Sequence, residues 1–225
     1  MATKYQHNPQ YFDAPYTEDT AYIMGFIAGD GCVVDRKTSP YVVISLASRD
    51  HAFLVKLAQR LGTTAPVKQR SVVTETRGVA HTSTLAVHSP PLAIALTKMG
   101  ITARKSKTYD PALVLRRLPI PLHRHFYRGL VDADGSLGVY RDGAHLRPRI
   151  MLAGTLAACE GFRDFLELKG VPCQSKIATY GTDTRGYVVN ARNSVVRACA
   201  ILYNDCDLFL GRKRDIAIRI QREFG

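Results

Sequence analysis

Two stretches decide the reading of this chain: Ile23-Met24-Gly25-Phe26-Ile27-Ala28-Gly29-Asp30-Gly31 and Tyr127-Arg128-Gly129-Leu130-Val131-Asp132-Ala133-Asp134-Gly135. Positions three and seven of each nonapeptide share a helix face, so Gly25 with Gly29, and Gly129 with Ala133, form stripes of small residues. Such stripes let two backbones approach closely. If they meet, the helices run together about a pseudo-twofold axis, and the residue past each stripe, Asp30 or Asp134, is delivered to the same point. Two carboxylates that close repel, which raises the pKa of one unless a cation lies between them. Hard oxygen ligands with room for water suit Mg2+, with Mn2+ as a possible substitute. One Asp-Gly at a helix end reads as a helix stop; two copies in register, each with its stripe, read as a site. A calcium loop does not fit at Asp132-Ala133-Asp134, because its glycine and closing glutamate would fall on Leu137 and Gly143.

Outward from the motifs, the chain reads as two copies of one plan. In the first, Thr17 caps the motif helix, with Glu18 and Asp19 in its electropositive first turn. Strand-like segments follow at 32–35 and 41–47, then a helix over 50–61 with Phe53, Leu54, Leu57 and Leu61 at helical spacing and Gly62 as its stop. A second strand pair spans 67–74 and 82–88, and a helix at 91–99 leads through Gly100-Ile101 to Arg104-Lys105-Ser106. The second copy has a helix over 122–133, strands at 136–141 and 147–152, a helix over 157–169, strands at 174–180 and 187–191, and a helix bearing Val195, Val196, Cys199 and Leu202. The expected class is therefore α+β: two pseudo-symmetric αββαββα halves, each an antiparallel sheet with helices on one face, joined by the paired motif helices. The divisions are an N-terminal extension at 1–16, a first repeat at 17–108, a linker at 109–119 and a second repeat at 120–225.

The net charge is +12, concentrated in Arg104, Lys105, Lys107, Arg116, Arg117, Arg124 and Arg128, and again in Arg212-Lys213-Arg214 with Arg219 and Arg222. A polyanion is the natural partner class. No apolar run approaches membrane-spanning length and the first residues carry no hydrophobic signal core, so neither membrane nor secretion is expected. The expected compartment is the cytoplasm, or an organelle or nucleus in a eukaryotic host. With Met1 and Gly225 as ends and no flanking splicing segments, an intein origin is not expected. The five cysteines, odd in number and without a Cys-x-x-Cys pair, read as small core hydrophobes rather than a disulfide or zinc framework.

These features together resemble the LAGLIDADG homing endonucleases, specifically the single-chain type with two motif copies. The resemblance spans about residues 17–222 and rests on both nonapeptides, on Gly100-Ile101 before Arg104-Lys105-Ser106, on Pro119-Ile120-Pro121 before the second motif, and on Leu210-Gly211-Arg212-Lys213. It implies that Asp30 and Asp134 bind the metals, with help from the carbonyls of Gly29 and Ala133. It also implies a basic residue near each scissile phosphate, which falls on Lys105, 75 residues after its aspartate, and on Lys213, 79 after its own. The sequence departs from the pattern at the sixth motif position, Ala28 against Asp132, and at the second, Met24 against Arg128; Asp132 reads as structural rather than as a metal ligand.

Each sheet should leave one face free to lie in a major groove of double-stranded DNA. Lys68 and Arg70 share a strand face, as do Arg147 and Arg149; Thr82, Thr84, Ala86 and His88 share another, and Gln69 and Ser71 take the opposite parity to Lys68 and Arg70. Without the register, which set faces DNA stays open. Lys176 and Arg192 complete the candidate DNA contacts. The expected function is metal-dependent double-strand cleavage at a long asymmetric site by a monomer, with water attacking phosphorus and cations stabilising the developing charge. His123 and His125, beside the second motif, read as surface or phosphate-contacting residues rather than a general base. The alternative is a catalytically silent nucleic-acid-binding protein on the same fold, either an intron RNA maturase, in which case RNA is the partner, or a DNA-binding regulator.

Overall fold

The structure, a computed structural model, describes residues 5–74, 78–173, 176–180, 182 and 184–225, apart from the side chains of Val72 and Thr74. Its first half runs α1 (Glu18–Asp30), β1 (Gly31–Val34), β2 (Tyr41–Ala47), α2 (His51–Arg60), β3 (Lys68–Thr74), β4 (Gly78–Val87) and α3 (Pro90–Lys98), followed by the short α4 (Ala112–Leu115). The second runs α5 (His123–Asp134), β5 (Gly135–Asp142), β6 (His145–Gly154), α6 (Leu156–Leu168), β7 (Ala178–Tyr180), β8 (Thr184–Val189), α7 (Arg192–Tyr203) and α8 (Gly211–Phe224). Both sheets are antiparallel, ordered β1-β2-β4-β3 and β5-β6-β8-β7. The repeated αββαββα plan is thus present, with α8 as an addition that the sequence reading left unassigned.

The motif helices occupy the centre: α1 is apolar nearly all round, and α5, buried from His125 to Asp132, encloses its polar Arg128 and Asp132 as well. In α1 every residue from Thr20 to Ala28 is buried, the pattern of a helix enclosed on all sides. The Thr17 hydroxyl accepts from the Thr20 amide and caps its start, worth about 1 kcal/mol. Both motif helices stop alike: the Gly31 and Gly135 amides donate to Ile27 and Val131 carbonyls with the glycines already extended. Each glycine then opens a strand in the same register, Gly31 opposite Ile44 and Gly135 opposite Leu152. A Cβ at either glycine would strike the preceding helical turn, so close approach rather than φ requires the missing side chain.

Alternation sorts the strands into two faces. Val42, Ile44, Leu46, Leu85 and Val87 are buried beneath the helices in the first half, as are Leu137, Ile150, Leu152, Tyr187 and Val189 in the second. Two sequence expectations need correction. The last strand ends at Val189 because Ala191 is already the N-cap of α7. Of the strand expected at 174–180, only 178–180 form β7, while Gln174 and Ser175 lie outside the described residues. Within the N-terminal extension, described from Tyr5 onward, Phe12 belongs to the core, and the Gln6 amide and carbonyl bond Thr63 and Thr64. All five cysteines are free, but only Cys159 and Cys199 are buried, and Cys32 is exposed. No helix among the described residues is long and apolar enough to cross a membrane.

Candidate active site

The small-residue stripes meet. A Cβ added at Gly25 would sit on the Phe126 carbonyl oxygen, and one at Gly129 on the Tyr22 carbonyl oxygen, so each helix presses its glycine onto the other's backbone. At the next turn Gly29 faces the Ala133 methyl, and a Cβ there would lie 3.2 Å from the Asp134 carboxylate. The pseudo-twofold contact therefore carries Asp134 across onto the first motif.

Electrostatics tie the carboxylates together. Burial pushes Asp134 up to about 6, the neighbouring Asp30 charge adds to that rise, and Lys105 and Lys213 oppose it. Asp30 is raised chiefly by burial too, against the pull of Lys213, Lys105 and Arg212. A cation between the two groups would relieve both penalties. The donors at hand are carboxylate and carbonyl oxygens, which fit a hard divalent ion that keeps part of its water. Among the described residues no cluster of three His, Cys, Asp or Glu side chains forms a metal cage, so such an ion would have to lean on carbonyls, water or DNA phosphate.

Both candidate lysines reach this point, buried rather than on the surface. Lys105 is 6% exposed and donates from Nζ to the carbonyls of Gly29 at 3.1 Å and Gly31 at 2.5 Å. Lys213 is 4% exposed and donates to Val131, Asp132 and Gly135 carbonyls, each at 2.7 Å. Each ammonium thus closes the electronegative end of its own motif helix. Burial lowers both, Lys213 to about 8. A cavity of about 210 Å³ lies alongside, lined by Gly29, Lys105, Tyr109, Asp134 and Thr155.

Asp132 is fully buried, accepting from the Tyr22 and Tyr203 hydroxyls and the Leu210 amide, each at 2.7 Å. This matches its reading as structural. The histidine reading needs correction. His125 is 2% exposed and is pushed down to about 3 by burial and by Arg128 and Arg124, while His123 Nε2 lies 3.1 Å from both the Leu115 and Leu118 carbonyls. The basic clusters are also not all surface: Lys105, Arg128 and Lys213 are enclosed.

The register settles the strand faces. Lys68 pairs with Thr84 and Arg70 with Thr82, and these share the open face with Ser45, away from buried Ser83, Leu85 and Val87. In the other sheet Arg149 pairs with Gly138 and Arg147 with Tyr140, again opposite the buried Leu137–Ile150 pair. The Arg149 guanidinium lies 4.0 Å from the centre of the Tyr140 ring, and Arg147 pairs with Asp142 at 2.8 Å. Two candidates are not on a strand: Lys176 is exposed ahead of β7, and Arg192 opens α7, where its Nε donates to the Phe224 carbonyl at 2.8 Å.

Comparison with known proteins agrees with the fold. The family model described as homing endonuclease matches residues 16–107. The tRNA-splicing ligase RtcB of Pyrococcus abyssi is 25% identical over 206 residues, which is 88% of this chain but 22% of that protein, so the likeness concerns about a fifth of it. Among solved structures, the LAGLIDADG meganuclease I-AabMI bound to uncleaved DNA aligns with a TM-score of 0.56 at 12% identity, over 92% of this chain and 91% of that one. The LAGLIDADG homing endonuclease I-GzeII in complex with its DNA target aligns at 0.58 and 12%, over 96% and 90%. Identities that low speak for the fold alone, and both halves are included in it.

Proposed function

We propose that this chain is a two-motif LAGLIDADG protein of the homing endonuclease family and a sequence-specific endonuclease that cuts both strands of a long, asymmetric DNA site. The observation that carries the reading is the delivery of Asp30 and Asp134 to one pseudo-twofold point by glycine-on-backbone packing, with a buried lysine beside each.

Each half would serve one strand. Asp30 and Asp134, helped by the carbonyls of Gly29 and Ala133, would hold Mg2+ or Mn2+. Such an ion, when bound, lowers the cost of charge on attacking water, phosphate and leaving oxygen. Lys105 and Lys213 supply fixed positive charge against the negative charge that builds at phosphorus. All three Lys213 protons already point at carbonyls, so its help is that of a held charge rather than a proton donor. The open faces bearing Lys68, Arg70, Arg147 and Arg149 suit a major groove, where Arg pairs bidentately with guanine. Because the halves differ in these side chains, one chain can read an asymmetric site and a monomer suffices.

The test is incubation with a pooled DNA library and Mg2+, followed by sequencing of cut ends. Recovery of one cleaved motif supports the reading. Specific binding without any cutting, with Mg2+ or Mn2+, would transfer it to a silent DNA-binding protein on this fold, and preference for structured RNA to a maturase.

A further inference from the structure

Arg124, Arg128 and Asp132 stand four residues apart on α5 and so share one face of it. All three grip the segment that joins α7 to α8. Arg124 Nη2 donates to the Asn204 carbonyl at 3.1 Å and the Asp205 carbonyl at 2.6 Å. Arg128 donates to Leu202 at 3.3 Å and Leu208 at 3.0 Å, and Asp132 takes the Leu210 amide at 2.7 Å. Arg128 is 1% exposed and Asp132 fully enclosed, so their bonds lie out of water, whereas those of Arg124 are exposed. The segment turns through the left-handed Asp205, at φ 48°, and three residues beyond Leu210 it delivers Lys213.

The motif helix of the first half has no such device, and the one guanidinium described on a carbonyl ahead of Lys105, Arg117 Nη2 on Lys98 at 3.3 Å, comes from outside that helix and is exposed. The corresponding positions of α1, 104 residues earlier, are Thr20, Met24 and Ala28. Met24 and Ala28 have no group that could bind a carbonyl or amide, and the Thr20 hydroxyl is paired with Thr17. The chain before Lys105 is fixed instead by buried Met99 and Ile101. An ionic clamp gains little over apolar packing in net stability. What it adds is direction, since a carbonyl held by a guanidinium cannot slide as a methyl can.

We propose that Arg124, Arg128 and Asp132 are positioning residues that set Lys213 alone, so that the two active centres, alike in backbone, hold their lysines by different forces. The inference rests on the nuclease reading for its effect on cleavage, but the placement of Lys213 is testable without it.

The experiment compares full-length Arg128→Met, Asp132→Ala, the double variant carrying both, and Arg124→Gln, which leaves the enclosed pair intact. One arm measures how fast an acylating reagent labels each lysine, resolved by mass spectrometry. The other follows each strand of a duplex site labelled at both ends. Losing a hydrogen bond to a charged group corresponds to about tenfold or more in exposure of what it held. Lys213 should therefore gain label by about that factor while Lys105 does not. One strand should slow relative to the other, so that nicked duplex accumulates, and it should be the strand that Lys213→Ala slows. Equal gain of label at both lysines, equal slowing of both strands, or continued protection of Lys213 would each overturn the proposal. If a buried variant does not fold, Arg124→Gln decides. If the wild type cuts no DNA, the nuclease reading falls, and the labelling arm still decides whether the clamp sets Lys213.

Discussion

Asp134 holds its proton to higher pH than a free carboxyl, and the causes can be separated by substitution. In metal-free protein its carboxyl carbon should titrate near 6 rather than at 3.8, and Asp30→Asn, by removing the neighbouring charge, should bring the midpoint down. NMR of the carboxyl carbons reads this directly. The folded pKa lies above the unfolded one, so protonation favours the fold: the contribution is present below 3.8 and lost as pH rises through about 6. A bound divalent ion should cancel that loss. In catalysis, Asp30→Asn or Asp134→Asn should abolish double-strand cleavage and leave DNA affinity nearly intact; full cleavage by either removes that aspartate from the mechanism. At this scale the sequence showed which residues come together, because each motif aspartate is followed by a lysine at a similar distance, 75 and 79 residues on. It did not show that the lysines are enclosed, since burial depends on which carbonyls a fold brings round.

Among the described residues, α1 and α5 make the most extensive contact between two elements. Gly25→Leu or Gly129→Leu would drive a side chain into a backbone carbonyl that cannot rotate aside. A loss of roughly 1–3 kcal/mol or more is expected, read as a fall in melting temperature. An unchanged melting temperature would contradict the packing described. On the sheets, Arg70→Ala and Arg149→Ala should relax discrimination at single base pairs by about 1–3 kcal/mol per bidentate contact, while Gln69→Ala, on the other face, should not. Cleavage profiled over all single-base variants of the selected site separates the two outcomes. The elements were legible where hydrophobic spacing marks them. α8 was not: its charged run hides Ile216, Ala217 and Ile220, and Leu210 offers no side-chain cap at its start. The four-residue spacing of Arg124, Arg128 and Asp132 was visible too, but its partners are loop carbonyls, on which sequence is silent.

For the whole molecule, DNA binding should weaken steeply with salt, each neutralised phosphate contributing about −0.9 to the slope of log affinity against log salt. Lys105, Arg128 and Lys213 are spent inside the protein. Neutralising the exposed Lys68 and Arg104 together should therefore reduce the slope, whereas Arg128→Met should leave it unchanged; titrations across a salt series measure both. A slope that Arg128→Met alters as much as the exposed pair would mean that the enclosed arginine reaches DNA. Finally, no side chain separates the two motif helices where Gly25 and Gly129 touch the opposite backbone. The spacing of Asp30 and Asp134 is thus a property of main-chain geometry, independent of the residues on the strand faces. If the chain cuts DNA as proposed, rewriting those faces for a new target should change where the duplex is opened, yet leave the stagger between the two cuts, and so the length of the single-stranded ends, as it was.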